Sequence, residues 1–199
     1  MKWLAFIICS FTLTTSAQPL TQNDVVWGYD SVIGSFISDF STTNDFILIA
    51  DVGPATPYPV NLPVSGLTGV VVTVTVTLSN LIHNFPTDMQ FLIVSPNSLS
   101  VKILGGAGGT SPIGPTTLTF SDAASMYAPD GLAAGTYLPT DGQPSFNFPF
   151  LAVGPYPTNL STFSGMGTGD ANGLWKVYVA DANALDGGFV TNVTLHITQ

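Results

Sequence analysis

The sequence predicts an all-β protein, a jelly-roll β-sandwich. Three observations carry the prediction. Gly (20) and Pro (15) interrupt the chain every few residues, and neither suits a helix interior. Between them, β-branched and apolar residues alternate with polar ones at period two. Long irregular connections separate these short runs, which favours a jelly roll among two-sheet sandwiches.

Taken in order, the chain opens with "MKWLAFIICSFTLTTSA". One Lys precedes an apolar run, and small residues end it at Thr15-Ser16-Ala17. This is the layout of a secretory signal peptide cut after Ala17. The apolar run is too short to span a bilayer. The sole cysteine, Cys9, falls inside it, so the mature chain is expected to lack disulfides. Cleavage leaves 182 of the 199 residues, enough for one domain with a substantial core. Residues 18–45 show a weak pattern and read as an N-terminal extension or linker.

Residues 46–199 read as the sandwich. "FILIA" (46–50) and "YPVNLPV" (58–64) are the opening strands, the second confined by its prolines to an edge. "VVVTVTVTL" (70–78) places Val72, Val74, Val76 and Leu78 on one face and Thr73, Thr75 and Thr77 on the other. "MQFLIVS" (89–95), "SVKIL" (100–104) and "TLTF" (117–120) follow. "LWKVYVA" (174–180) buries Trp175, Val177 and Val179, and "FVTNVTLHIT" (189–198) buries Val193, Leu195 and Ile197. Residues 123–160, rich in Gly, Pro and aromatics, read as long loops across the sandwich.

Charge excludes several partners. The acids are twelve Asp with no Glu, and there is no Arg. Without the leader, two Lys face twelve Asp, so the formal charge of −9 becomes −10. Such a chain cannot neutralise phosphates, which excludes nucleic acid and disfavours anionic membranes. Short carboxylates in turns can bind calcium or simply bond their own backbone.

Catalytic constellations are thin. Only His83 and His196 can serve as an imidazole base. No Gly-x-Ser-x-Gly elbow is present. "GGAGG" (105–109) lacks the Lys-Ser/Thr of a phosphate cradle. Two isolated His and no mature Cys make a poor zinc set. The turns "FPTD" and "DANALDGG" offer Asp88, Asp181, Asn183 and Asp186 as candidate calcium ligands. The Asp170–Asp181 interval is not an EF-hand loop, because Trp175 holds the required glycine position. Two glycosylation tripeptides occur, at Asn159-Leu160-Ser161 and Asn192-Val193-Thr194. The stretch "YLPTDGQPSFNFPF" (137–150) offers Tyr137, Phe146, Phe148 and Phe150. These aromatics either form a binding surface or cap the core.

One resemblance covers roughly residues 46–198. Its blocks are "VNLPVSGLTGVVVTVTVTLSNLIHNFPTDMQFLIVSPN" (60–97), "LTFSDAA" (118–124), "GTYLPT" (135–140), "GPYPTNLSTFSG" (154–165) and "NGLWKVYVADANALDGGFVTNVTLHI" (172–197). These resemble the proprotein convertase P-domain (P/Homo B) family, in its bacterial secreted form. The resemblance implies a galactose-binding-like jelly roll that is non-catalytic and accompanies a subtilisin-like protease domain. It makes His83 a structural turn residue that bonds backbone groups. It also matches Asp88, Asp181 and Asp186 to family acids, while Thr87 and Gln90 stand where further acids are expected.

Three functions follow as expectations. The first is a secreted, extracellular or cell-surface accessory or binding module, calcium-stabilised, with a protein or glycan partner. The second is a self-assembling extracellular subunit of a fibre, coat or matrix, in which the neutral 70–78 strand pairs with a neighbour. The third, a hydrolase, has the least support.

Overall fold

The computed structural model describes residues 27–30, 35–43, 46–151 and 154–199. The leader assigned to 1–17 lies outside them. The described chain is a two-sheet β-sandwich of fourteen strands with very little helix. The strands run β1 (Trp27–Asp30), β2 (Ser35–Ser41), β3 (Ile47–Ile49), β4 (Gly53–Pro54), β5 (Val60–Val64), β6 (Thr73–His83) and β7 (Met89–Val94). They continue with β8 (Ser100–Gly105), β9 (Ile113–Phe120), β10 (Gly135–Tyr137), β11 (Thr140–Asp141), β12 (Gly173–Asp181), β13 (Gly188–Val190) and β14 (Asn192–Thr198). One helical turn, α1 (Thr168–Ala171), and two 3-10 turns, Pro86–Asp88 and Leu160–Phe163, complete it. No helix among the described residues is long and apolar enough to cross a membrane.

The first sheet runs β1-β2-β14-β6-β13-β3, with β9 also on β6 and β10 on β9. The second runs β11-β8-β7-β12-β4, with β5 also on β12. Alternation explains which face of each strand goes inside. Val74, Val76 and Leu78 of β6 are buried, as are Val193, Leu195 and Ile197 of β14. They share one core with Phe91 and Ile93 of β7 and with Trp175, Val177 and Val179 of β12. Trp175 is fully buried: its ring meets Phe163 edge-on at 4.9 Å and its Nε1–H donates to Ala171 O at 2.8 Å. Among the described strands, the proline-bearing β5 pairs with β12 alone, at the edge of its sheet.

Four expectations change. Val72 is 51% exposed, while Val71 is buried. The strand starts at Thr73 rather than 70, so the inward face shifts by one residue at its entry. Residues 189–198 form two strands rather than one, broken at Thr191. The register against β6 is the same on both sides of the break, and Asn80 of β6, with φ 51°, lies opposite it. Thr191 N–H then donates to Ser79 O across the break. Part of the segment taken as an extension is a strand of the first sheet: β2 pairs with β14 from Ile37 to Ser41, and Phe40 enters the core. Finally, β12 is buried on both faces from Val177 to Asp181. Its outward residues Tyr178 and Ala180 join Leu92 and Phe148 in a second small core, packed by Tyr58, Phe146, Leu151 and Tyr156.

Candidate metal centre

Two ladders meet at one corner of the sandwich. In the second sheet Asp181, the last residue of β12, pairs with Met89 and Gly53. In the first, Gly188 pairs with His83, the last residue of β6. The 182–187 loop therefore turns directly over the 3-10 turn Pro86–Asp88. Ala182 N–H donates to Asp88 O at 2.9 Å, and Asn84 N–H to Gly187 O at 3.1 Å. Only glycine fits at 188, because a Cβ there would stand 2.0 Å from Ile82 O and 2.7 Å from His83 Cδ2.

His83 is fully buried. Phe85 N–H donates to its Nδ1 at 3.1 Å. A backbone N–H only donates, so Nδ1 is the bare nitrogen and the neutral ring carries its proton on Nε2. That Nε2 lies 3.0 Å from Asp181 Oδ2, and Nδ1 lies 3.7 Å from Asp186 Oδ1. Burial lowers the pKa of His83, against an opposing pull from Asp186 and Asp88.

Asp181 is 1% exposed. Its Oδ1 accepts Asn183 N–H at 2.9 Å. Burial pushes its carboxyl up to about 7; the Asn183 N–H opposes this, and the nearby Asp186 adds to it. Asp186 is tied from outside, since its N–H donates to Asp51 Oδ1 at 2.9 Å and Leu185 N–H donates to the same oxygen. Asn183 Nδ2–H donates to Asp88 Oδ1 at 2.7 Å.

One ligand atom each from His83, Asp181 and Asp186 falls within 4.8 Å of the others. His83 Nε2, Asp181 Oδ2 and Asp186 Oδ1 are all buried without a hydrogen-bond partner. The neutral ring brings Nε2 to 3.0 Å from Oδ2, but out of line for a hydrogen bond. Two carboxylates side by side in a dry corner need a proton or a cation between them. The converging donors are two carboxylate oxygens with an imidazole beside them, a hard-oxygen set that would supply part of the six to eight ligands a calcium ion takes. All four residues expected as ligands reach this corner. Asp181 and Asp186 present the unpartnered oxygens, whereas Asp88 and Asn183 bond to each other. Sequence reasoning missed Asp51, which anchors the loop from far upstream, and the place of His83 beside the acids.

The second imidazole sits elsewhere. His196 Nδ1 lies 2.6 Å from Asp39 Oδ1, and its Nε2 lies 3.0 Å from Thr77 Oγ1. This acid–imidazole–hydroxyl chain crosses three strands on the outer face of the first sheet. Thr77 Oγ1 is also bonded to Thr119 Oγ1 at 3.0 Å. Backbone N–H groups there serve the ladders of β6, β14 and β2 rather than an oxyanion. The chain is a cross-strand hydrogen-bond relay on a flat surface.

The four aromatics considered for binding do not form one exposed surface. Tyr137 is buried in the main core and its hydroxyl donates to Ala133 O at 2.9 Å. Phe148 is buried in the second core, with Phe146 and Tyr156 edge-on to it at 5.1 and 5.7 Å. Only Phe150 is open, at 96% exposure.

No protein-family model matches the chain, and no curated protein matches it. Among solved structures, the fold is similar to a serine protease of Aeromonas sobria, with TM-score 0.42 and 15% identity. It is also similar to a chain in the complex of that protease with its chaperone, with TM-score 0.39 and 15% identity. In each case 92% of this chain is covered, and it spans 28% of the matched chain.

Proposed function

We propose that the chain is an exported, non-catalytic accessory or binding module of the P-domain type, with calcium held between Asp181 and Asp186. One observation carries the cation: buried, converging carboxylate oxygens without hydrogen-bond partners. The blocks that resemble the P-domain family supply this corner, since residues 60–97 hold His83 and Asp88 and residues 172–197 hold Asp181, Asn183 and Asp186. When bound, calcium supplies positive charge to the corner. The Asn183 N–H, bonded to Asp181 Oδ1, orients the carboxylate and leaves Oδ2 for the ion. Asp88 and Asn183 brace the loop. A non-catalytic role is supported by the two imidazoles, one walled in and the other on a flat strand face. The fibre reading draws less support, because β6 is flanked by β14 and β13 along one edge and β9 along the other.

Calorimetric titration of the mature chain with calcium tests the reading. One saturable site is expected, absent in Asp181→Asn. No heat, with identical melting in calcium and in chelator, would overturn the calcium assignment. Turnover of peptide or ester substrates that is lost in His196→Ala would overturn the non-catalytic assignment.

A further inference from the structure

A second buried charge pair lies away from this corner, on the outer face of the second sheet. Lys102 is fully buried. A register shift in the β7–β8 ladder sets it opposite Leu92, in the second core. Its Nζ donates to Asp141 Oδ1 at 2.6 Å and to Gln143 O at 2.7 Å. The Asp141 side chain is only 6% exposed. The Phe146 ring centroid is 5.8 Å from Nζ.

The surroundings hold both groups in place. β11 pairs parallel with β8, with Asp141 opposite Gly105, so both backbones are pinned. A Cβ at Gly105 would stand 2.4 Å from Lys102 Cε and 2.5 Å from Gln90 Oε1. Glycine there leaves the room that the lysine occupies. Gln143 N–H donates to Asp141 Oδ1 at 3.0 Å, and Gln90 Nε2–H donates to Gln143 Oε1 at 2.8 Å.

Keeping two full charges in a dry site is costly, and their attraction repays the desolvation only in part. Burial lowers the pKa of the Lys102 amine, while Asp141 pulls it back up. Lowering it favours the free amine, which is the nucleophilic form. The amine is already held against the carboxyl, so no encounter entropy remains to be lost.

We propose that Lys102 and Asp141 are the site of a self-formed cross-link, an amide between Lys102 Nζ and Asp141 Cγ. The Nζ–Cγ bond forms and the Cγ–Oδ2 bond breaks. Oδ1, held by the Gln143 N–H, stays as the amide oxygen. The lysine ammonium gives up two protons, and Oδ2 leaves with them as water. Ammonium plus carboxylate gives amide plus water, so the step needs no oxidant, reductant or co-reactant. The product is neutral, and its one N–H can still donate to Gln143 O. The link closes the chain between residues 102 and 141, the service a disulfide gives, in a sequence whose sole cysteine is Cys9.

Intact mass spectrometry of the purified, denatured chain tests this. The mass is expected to fall short of the sequence by one water. A digest is expected to yield a branched peptide joining Lys102 to Asp141, with no tryptic cut after Lys102. Both signatures should vanish in Lys102→Met and in Asp141→Ala. The full sequence mass overturns the proposal. So does a water loss confined to Asp141-Gly142, where a succinimide gives the same mass. The wild-type reading stands whether or not the variants fold.

Discussion

His83 Nε2 lies 3.0 Å from Asp181 Oδ2, both fully buried, yet the two are out of line for a hydrogen bond. The ring cannot turn to improve the contact without breaking the Phe85 N–H bond to Nδ1. The one ring N–H thus faces Asp181 Oδ2 alone, while the bare Nδ1 lies 3.7 Å from Asp186 Oδ1, and both acid oxygens stay unpartnered. The remaining charge must be met by a proton or by a metal ion, and the two cases differ in solution.

In chelator, the proton case applies. The Asp181 carboxyl is raised from 3.8 to about 7 in the folded chain. A raised acid pKa means the folded state binds the proton more tightly, so its stabilisation is present at low pH and lost as pH rises through 7. The lowered His83 pKa works the other way, costing stability as pH falls below about 6.5. Comparison with Asp181→Asn isolates the first effect. The melting temperature of that variant minus wild type should grow from pH 5 to pH 8 in chelator. A flat difference would mean the carboxyl is not raised.

With calcium present, the pH effect should shrink and the chain should gain stability. At free calcium 100-fold above the dissociation constant, mass action contributes about 2.7 kcal/mol. Asp186→Asn should lose most of that gain, and magnesium, which demands stricter geometry, should give less of it. Differential scanning calorimetry in calcium, magnesium and chelator reads all three.

Gly188 tests the packing of the corner without altering a charge. Gly188→Ala drives a methyl into Ile82 O and the His83 ring. Overpacking of this kind costs about 1–3 kcal/mol, and the calcium response should fall with it. Gly169→Ala is the control, since nothing lies within 4 Å of a Cβ there. Urea unfolding of the pair should separate them clearly; equal midpoints would show that the corner yields.

Trp175 and His196 should differ sharply in what they contribute. Trp175→Ala removes a fully buried ring and should cost about 3–5 kcal/mol. His196→Ala breaks a half-exposed contact with Asp39 and should cost at most about 1 kcal/mol. Chemical denaturation measures both; a large His196 effect would assign the surface relay a structural weight this geometry does not give it.

What was legible in the sequence was what repeats locally. Alternation marks residues 74–78 and 193–197, because one face of each strand meets the core and the other does not; in 175–179 it marks the main-core face alone, since Tyr178 enters the second core. The turn acids Asp88, Asp181 and Asp186 stood out as short carboxylates at strand ends, although backbone bonding within a turn accounts for such residues equally well. β2 was hidden because "SFISDFS" mixes small polar residues into both faces, and its place depends on β14, more than 150 residues away. Asp51 was hidden for the same reason: its work is done on Leu185 and Asp186. A lysine in a strand reads as solvated, and Lys102 is buried because Asp141, Gln143 and Phe146 lie against it.

The position of β14, between β2 and β6, sets an order of assembly. Two strands from the first half of the chain acquire their common neighbour only from its far end. Local hairpins cannot close that sheet, so the rate of folding is governed by long-range pairing and falls in the slow range of β-sandwiches, about milliseconds to seconds. Until β14 docks, the facing edges of β2 and β6 stay open together, and the half-built chain is the species most exposed to misassociation.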